Sequence, residues 1–483
     1  MRAIALVLPL MVAATAGAQP QVPPSGDSGA PEDPIRRELD ELRARQRWLE
    51  QRLSNAEAHA AETHNGARRP APPPPVVEPP PERPGPTFRW GRGGFVFGTP
   101  DGKTELHVRA VFNLDGHAYV GGVNPLPDTF LIRRARPFIE GTVWGLFDFR
   151  LMPDFAFGQA LILDAYVDIH PWHWLRLRGG RYMIPVGLEW MQKDTQIHFM
   201  ERSLATDLVP YRDLGLMLFG DFADNTFLYQ LSFANGANDS GNGPDLDNNS
   251  GKDYVGRIFI RPLRKVARAR AITDLGFGVG ASYGSSKGTA TNSGLPIYKS
   301  TSLQPIFSFI TSTTVPAAAT SAATIADGDR WRVSPQLYWY IGPFGLLAEY
   351  VVSAQRVSRM GSSANLVNRA WNVTMSFVLT GERSTFESVT PRHPVDFRHA
   401  NFGAFELVFR YSELRFDDAA FPDFADPTVA VRSAREFAGG LNWHLTDYVK
   451  VMLSYHRTDF VGGAMMGDRE PENALMGRLQ LAL

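Results

Sequence analysis

Apolar and polar side chains alternate at every second position through the C-terminal part of the chain. Phe405, Leu407 and Phe409 occupy alternate positions, and the polar Glu406 and Arg410 fall between them. The same spacing recurs at the end of the chain, in Leu475, Gly477, Leu479, Leu481 and Leu483. Because successive side chains of a strand point to opposite faces, each such strand has one apolar and one polar face. The pattern is typical of an outer-membrane β-barrel, whose exterior contacts lipid and whose lumen holds water.

Strand-like segments continue from about residue 88 to the end of the sequence. Sixteen candidates, separated by turn-forming residues, lie near residues 104–114, 130–141, 144–153, 160–170, 174–182, 214–221, 227–234, 254–261, 275–283, 331–341, 346–353, 371–379, 402–411, 436–445, 448–456 and 474–483. An even number of this size is usual for bacterial barrels and encloses a water-filled channel. We therefore predict an all-β fold in which residues 88–483 form a 16-stranded antiparallel transmembrane β-barrel.

The connections between the predicted strands fall into a short and a long class, as in a barrel that crosses a membrane. The short connections at residues 145, 157–159, 342–345 and 446–447 are predicted to lie in the periplasm. The long connections at residues 235–253, 285–329 and 417–433 are predicted to face outward.

Segments of different composition precede the predicted barrel. Arg2, an apolar run and an A-x-A cleavage signal predict a signal peptide over residues 1–18, followed by a disordered stretch over residues 19–33. Residues 62–87 are proline-rich, which predicts a stiff polyproline linker; the alternative is a ligand for a proline-binding domain. After the signal peptide no run of about 18 apolar residues occurs, so no transmembrane helix is predicted.

Residues 34–61 have the spacing of a coiled-coil helix. Apolar residues and one glutamine recur at alternating steps of four and three, in Ile35, Leu39, Leu42, Gln46, Leu49, Leu53, Ala56 and Ala60. Charges of both signs fill the positions between them. A helix of roughly four heptads is marginal alone and gains stability by association. We predict a coiled coil; the alternative is a single amphipathic helix that packs on another surface.

The remaining composition narrows the classes of function. A formal net charge of −1 argues against a protein that coats nucleic acid, and the lack of cysteine fits an exported barrel that is stabilised by closure. The sequence has no G-x-S-x-G elbow and no H-E-x-x-H helix, and its histidines are scattered. We therefore predict no enzyme activity, no catalytic residues, no metal site and no cofactor.

Arginine is frequent on the predicted lumen face of four neighbouring strands. The string LIRRARPFI contains Arg133, Arg134 and Arg136, and by alternation the later strands add Arg150, Asp164, Arg176 and Arg178, with Leu163 facing lipid. A guanidinium group is always charged and offers paired donors that suit phosphate or carboxylate. The alternative is that these arginines pair with Glu140, Asp148, Asp164 and Asp168 to hold the wall together, and both roles are compatible.

Several ordered strings along the predicted barrel resemble the phosphate-selective porin O and P family of Gram-negative outer membranes. They include FLIRRARPFIEG, LDAYVDI, GGRYMIPVGLEW, FMERSL, YRDLGLMLFG, LTGERSTFESVTP and GGLNWHLTDYVKVMLSYHR. The resemblance implies a sixteen-stranded barrel, a homotrimer, and diffusion of anions through a constriction lined by basic residues. It also implies that the arginine pair of the early strand is Arg133 and Arg134, and that the pore aspartate is Asp164.

The resemblance places the family's inward-folded constriction loop at residues 189–212. This loop carries Lys193, Thr195, Arg202 and Arg212, whereas phosphate-specific members bring several lysines to the same place. We therefore expect an outer-membrane porin for small inorganic anions, with phosphate and polyphosphate as candidates and lipid as its surroundings. The alternatives are a general non-selective porin, or a barrel anchor whose periplasmic coil tethers the membrane to the cell wall or a partner.

Overall fold

The computed structural model describes residues 34–62, 85–91, 94–121, 126–244, 250–266, 272–311 and 323–483. The chain divides into two units, Met1–Glu82 and Arg83–Leu483. The predicted signal peptide, the disordered stretch after it and most of the predicted proline-rich linker lie outside the described residues.

The first unit contains one helix, α1, at Pro34–Glu62. Proline at the first helical position is favourable because its missing N–H has no partner there in any helix. Four seam leucines, Leu39, Leu42, Leu49 and Leu53, are exposed in the single chain. The helix is confirmed, while its association into a coiled coil stays a prediction. No helix in the described part of the chain is both long and apolar enough to cross a membrane.

The second unit is built from β-strands. They are β1 (Thr87–Gly91), β2 (Gly94–Gly98), β3 (Glu105–Tyr119), β4 (Thr129–Val143), β5 (Phe147–Asp154), β6 (Leu161–Trp172), β7 (Leu175–Met183), β8 (Arg212–Phe222), β9 (Phe227–Ala234), β10 (Asp253–Ile260), β11 (Asp274–Lys287), β12 (Ile297–Lys299), β13 (Pro305–Ser308), β14 (Ile325–Ile341), β15 (Phe344–Arg359), β16 (Ser362–Val378), β17 (Ala404–Arg415), β18 (Val431–His444), β19 (Val449–Gly462) and β20 (Glu472–Ala482). Within the described residues, β3–β11 and β14–β20 form a closed antiparallel barrel of 16 strands.

The barrel closes where β20 pairs with β3, with Leu479 opposite Leu114. Along β20, Leu475, Leu479 and Leu481 are exposed on the outside, and the alternating residues Met476, Arg478 and Gln480 are buried in the lumen. Each of the sixteen predicted strands corresponds to one strand of the barrel, so the predicted 16-stranded antiparallel barrel is confirmed. Alternation alone therefore located the barrel wall.

The sequence analysis missed two strand pairs. The hairpin β1–β2 adds to the barrel wall by pairing Phe95 of β2 with Val108 of β3. Since β20 stops opposite Val111, the hairpin uses the part of the β3 edge that β20 leaves unpaired. The second pair, β12–β13, lies inside the connection between β11 and β14.

One predicted connection lies at the opposite end of the barrel from the one expected. Residues 157–159, which lie in the connection between β5 and β6, were predicted among the short periplasmic turns. In an antiparallel barrel every second connection returns to the same end, and the β5–β6 connection shares its end with the long β9–β10, β11–β14 and β17–β18 connections. We call this the long-loop end and the other the short-turn end. The short-turn end also carries a long segment, residues 379–403. The end of the barrel at which a connection lies is therefore set by its place in the order of strands, and not by its length.

Three connections fold into the barrel and fill much of its lumen. The lumen loop, residues 184–211 between β7 and β8, enters from the long-loop end and has a buried interior that includes Leu188 and Met200. The β11–β14 connection also turns inward, where Ser300 donates to Glu472 of β20 at 2.8 Å. From the short-turn end, residues 379–403 meet the lumen loop, since Gln192 donates to the Phe386 carbonyl at 2.9 Å. The inward fold expected of the constriction loop is therefore present.

The exposed leucines of α1 generate the first prediction. We expect Leu42→Asp together with Leu49→Asp to weaken self-association of the full-length protein, because each leucine contributes roughly 1.5–3 kcal/mol when it is buried between copies. Sedimentation of the detergent-solubilised protein over a range of concentrations measures the effect.

The matched control is Ala44→Asp together with Gln51→Asp, which has the same spacing on the opposite side of the helix. If both double variants dissociate at the same concentration as the parent protein, the helix does not associate through this seam.

Candidate permeation pathway

The lumen loop is closed on itself by one buried carboxylate. Oε2 of Glu189 accepts hydrogen bonds from the Ser203 N–H at 2.8 Å, the Ser203 hydroxyl at 2.5 Å and the Thr206 hydroxyl at 3.1 Å. Hydrogen bonds to a charged acceptor are roughly twice as strong as neutral ones. The beginning and the end of the loop are therefore held together independently of the barrel wall.

Two arginines hold the tip of the loop from the opposite wall. Arg478 of β20 binds both oxygens of Asp115 at 2.7 and 2.6 Å and donates through Nη1 to the Met200 carbonyl at 2.7 Å. Arg410 of β17 binds both oxygens of Glu436 at 2.9 and 3.0 Å and donates through Nη1 to the Glu201 carbonyl at 2.9 Å. Each guanidinium thus links one wall carboxylate to one loop carbonyl, and the two carbonyls belong to consecutive residues.

A lysine and a glutamine hold the preceding part of the loop. Lys450 of β19 donates to the carbonyls of Thr195 and Ile197 at 3.3 and 3.2 Å, and Gln480 of β20 donates to the Thr195 carbonyl at 3.2 Å. The predicted site residue Thr195 therefore uses its main chain to fix the loop. Its neighbours in the lumen come from strands far away in the sequence.

A β-bulge brings the consecutive arginines of β4 to the same side. Asn113 of β3 pairs with Arg134, while the next residue, Leu114, pairs with Ile132, so Arg133 is the extra residue of β4. A bulge breaks strict alternation and re-aims a side chain. Arg133 consequently forms a two-point ion pair with Glu201 of the lumen loop, at 2.7 and 2.8 Å.

Asp194 of the lumen loop is the centre of an arginine cluster. It pairs with Arg202 at 2.5 Å, with Arg134 at 3.4 Å, and with Arg136, which also binds Asp154 at 2.7 Å. The predicted arginines of β4 and of the loop are therefore brought together. Much of their charge is matched by carboxylates, as in the structural alternative.

A second bulge corrects one prediction. Met152 of β5 pairs with Asp164 and Pro153 with Ile162, which leaves Leu163 as the extra residue of β6. Leu163 was expected to face lipid, but it is only 5% exposed and lines the lumen. Asp164 points inward as predicted and accepts a hydrogen bond from Arg212 Nε at 2.7 Å. Two consecutive residues of β6 thus face the pathway.

Arg150 lies near two of the four carboxylates that were predicted to pair with the arginines of the wall. Arg150 of β5 lies 3.3 Å from Glu140 and 3.4 Å from Asp164, and its guanidinium stacks over the Phe138 ring at 4.7 Å. It therefore joins the walls of three neighbouring strands while it faces the lumen.

Arg176 and Arg178 lie apart from the other candidates. Arg178 forms a two-point ion pair with Asp168 at 2.7 and 2.8 Å and stacks over the Tyr166 ring at 3.7 Å. Arg176 lies over the Phe219 ring at 6.0 Å. Neither belongs to the lining of the three cavities described next. For these two residues the structural role is the better supported one.

Three cavities adjoin one another in the lumen, the first two beside β3–β8 and the third beside β3 and β18–β20. The outer cavity, toward the long-loop end, has a volume of about 630 Å³; the middle cavity measures about 90 Å³, and the inner cavity, toward the short-turn end, about 240 Å³. The outer and middle cavities share the lining residues Arg136, Asp194, Arg202 and Arg212. The middle and inner cavities share Arg109, Thr195 and Ala482. The cavities therefore form a series in which the middle one has the smallest volume.

The lining of the middle cavity is predominantly basic. Its charged side chains are Arg109, Arg136, Arg150, Lys193, Arg202 and Arg212, against Asp164 and Asp194. Glu140 and Asp154 bind arginines of this group from behind and reduce the excess. Lys193 differs from the arginines: its side chain is exposed and has no ion pair or hydrogen bond within the described residues.

The sequence analysis missed four basic residues of this region, although strand alternation offered a signal for each of them. Arg410, Lys450 and Arg478 occupy polar positions of strands whose alternation was recognised, but their loop partners are remote in sequence. Arg109 lies on β3, where Glu105, His107, Asn113 and Asp115 are likewise on the polar face.

In the described ranges no group of three or more His, Cys, Asp or Glu side chains is arranged to hold a metal ion.

The sequence of the barrel identifies the family. The family model described as phosphate-selective porin O and P matches residues 107–483, which is more than half of the chain. The chain belongs to this family. The porin is thus an outer-membrane channel protein and not an enzyme.

Individual relatives of this porin are distant. Porin O of Pseudomonas aeruginosa is 26% identical over 125 residues, and the match covers 24% of this chain and 27% of that protein. The match therefore spans only about a quarter of that curated relative's length.

Solved structures of similar size are even more remote in sequence. DcaP, an outer membrane channel of Acinetobacter baumannii, is 10% identical with a TM-score of 0.49, covering 80% of this chain and 99% of that one. In-vitro folded OmpT of Vibrio cholerae, described as a trimer form, is 9% identical with a TM-score of 0.47, covering 79% and 99%.

The Asp194 cluster generates the second prediction. We expect Asp194→Asn to loosen the lumen loop, since removing one partner of a buried ion-pair cluster typically costs about 3–5 kcal/mol. Single-channel recording should show increased open-channel noise, and the thermal unfolding temperature should fall. Asp447→Asn, at an exposed position in the inner cavity, serves as the control. Noise and unfolding that match the control would contradict a role of Asp194 in holding the loop.

Proposed function

We propose that this porin conducts small inorganic anions by passive diffusion through an arginine-lined constriction, which is the middle cavity. The observation that carries the proposal is the excess of cationic over acidic side chains around the smallest cavity of the series. Charge of one sign in a narrow, protein-walled passage raises the local concentration of the opposite ion. Small anions are thereby favoured over small cations at the point that limits conduction.

Lys193 is the centre of the proposed selectivity. The arginines around it are paired with carboxylates. Each pair therefore presents the field of a dipole to the passage, and not that of a full positive charge. Lys193 is an exposed residue, and within the described part of the chain no carboxylate contacts its ammonium. A site that binds an anion through one flexible cation and the remaining N–H groups of paired arginines is weak enough to release it, as conduction requires.

The proposed substrates are small inorganic anions as a class, with phosphate and short polyphosphate to be tested first. Phosphate is favoured by the planar donors of the neighbouring arginines. The single lysine of the lumen loop favours a broad anion preference over strict phosphate specificity. In this proposal Arg133, Arg134 and Arg136 lead the anion in, Arg150, Asp164, Lys193, Thr195, Arg202 and Arg212 line the constriction, and Arg176 and Arg178 hold the wall.

The second candidate function is a general non-selective porin. It is supported by the carboxylates that pair with nearly every arginine of the pathway, since full compensation would leave no net field. The two candidates differ in the sign and size of the reversal potential in a salt gradient.

The proposal extends to the assembly of the protein. The exposed leucines of α1 support a homotrimer in which residues 34–61 form a coiled coil in the periplasm, joined to the barrel by a linker over residues 62–87. In that position the helix is also suited to bind the cell wall or a partner protein. Residues 1–18 are proposed to be removed as a signal peptide after export.

The unpaired lysine generates the third prediction. Lys193→Gln should lower the permeability ratio of chloride to potassium by roughly fivefold, because an anion near the ammonium loses about 1 kcal/mol of electrostatic stabilisation. The ratio is obtained from the reversal potential in a potassium chloride gradient across a planar bilayer.

Lys103→Gln, in an exposed turn before β3, is the matched control and should leave the ratio unchanged. A parent protein with a reversal potential near zero would refute anion selectivity and favour the general porin. Adding phosphate to the chloride solution then tests the substrate: a phosphate site reduces chloride current at a low phosphate concentration.

A further inference from the structure

The outer cavity is much larger than a small inorganic anion requires. Its volume of about 630 Å³ is within the range of pockets that hold organic ligands, and it narrows to about 90 Å³ in the middle cavity. A molecule too large for rapid passage through the middle cavity therefore has room to reside in the outer one.

The lining of the outer cavity combines two kinds of surface. Its charged part consists of Arg133, Arg134, Arg136, Arg202, Arg212 and Lys299, against Asp154, Asp194, Glu201 and Asp207. Its apolar part includes Phe157, Leu161, Leu163, Trp190, Leu295 and Ile297. The inner cavity, in contrast, is lined mainly by polar side chains such as Gln196, Thr390 and Gln480. Apolar side chains thus line the outer cavity and the adjoining middle cavity, to which Val111, Phe138, Met152 and Met183 contribute, whereas the inner cavity is mainly polar.

The apolar side chains at this place are open to the lumen. Phe157 is 58% exposed, Leu161 50% and Ile297 56%. They come from two different connections and one strand, so no single sequence pattern placed them together. The interior of a water-filled barrel is normally polar. Apolar side chains that gather at a pocket rimmed by charges are typical of a site for a partly apolar ligand.

Phe157 is held in an unusual backbone conformation that directs its ring into the cavity. Its φ of 57° lies in the left-handed region, which bulky side chains rarely adopt. The Phe157 ring lies 5.4 Å from the guanidinium of Arg133. Backbone strain of this kind persists where the surrounding structure fixes it and is common at ligand sites. The ring is therefore next to a cation that is itself held by Glu201.

From these observations we infer that the outer cavity is a binding site for small organic anions that carry an aromatic or branched aliphatic group. The anionic group lies toward the basic side, where Lys299 is exposed, and the apolar group contacts Phe157, Leu161 and Ile297. The inference rests on the proposed anion channel, whose basic constriction would draw such molecules in, and it adds a substrate class that inorganic phosphate does not represent.

The experiment compares three probes of similar simplicity in the parent porin. Benzoate, acetate or benzyl alcohol is added to the side of the long-loop end while chloride current is recorded in a planar bilayer. We expect benzoate to block at a concentration about tenfold lower than acetate, because its ring removes apolar surface of the cavity from water. Benzyl alcohol, which has the ring without the charge, should block no better than acetate.

A double variant assigns the block to the cavity. Phe157→Ala with Ile297→Ser should reduce the preference for benzoate over acetate by about fivefold. The control is Phe155→Ala, an exposed phenylalanine of the same connection that does not line the outer cavity, and it should keep the preference. Equal block by benzoate and acetate in the parent, or an unchanged preference in the double variant, overturns the inference.

Failure of the anion-channel proposal is recognised separately, from the reversal potential of the same channels. An anion-selective porin that benzoate and acetate block equally keeps the proposed function and loses the organic-anion site. A porin without anion preference loses the proposed function whatever the block by benzoate.

Discussion

The pathway depends on how one loop is held across a wide barrel. Leu188 and Met200 of the lumen loop belong to apolar clusters that include Leu347 and Met476 of the wall, and the loop is aligned further by directional contacts. Arg410 and Arg478 provide them, each with two N–H groups on a wall carboxylate and another on a loop carbonyl. Arginine is suited to this because its planar fork offers several donors in fixed directions, which lysine does not. The far wall thereby determines where the narrow part of the pathway lies.

The same need for pairing determines the electrostatics of the lumen. A guanidinium that is largely removed from water is stable only next to a carboxylate, and the cluster around Asp194 and the pair of Arg212 with Asp164 satisfy this condition. Pairing reduces the net charge of the wall, so the number of arginines overstates the field that an anion meets. Lys193, which lines the middle cavity without a carboxylate partner in the described residues, is for this reason the residue on which the proposed selectivity depends most.

Departures from regular strand geometry shape the wall at the outer cavity. The bulges at Arg133 and Leu163 each bring a pair of consecutive side chains to the lumen, on β4 and β6. The pair on β4 is Arg133 and Arg134, both basic. The pair on β6 is the apolar Leu163 and the carboxylate Asp164. Together with the left-handed Phe157 at the β5–β6 connection, they place charge and apolar surface side by side. A strictly alternating wall would have turned Arg133 and Leu163 toward lipid.

The sequence by itself determined the barrel, the number of its strands and the helix at Pro34–Glu62, because two-residue and heptad periodicities are local properties of the chain. It also indicated which arginines face the lumen wherever alternation is unbroken, as for Arg134 and Arg136. Only the tertiary structure decided the rest. Bulges depend on pairing with a neighbouring strand, and the partners of Glu201 and Asp194 come from strands and a loop far apart in sequence. A periodic pattern records which face a residue occupies, whereas the charge that remains uncompensated depends on what lies opposite it across the lumen.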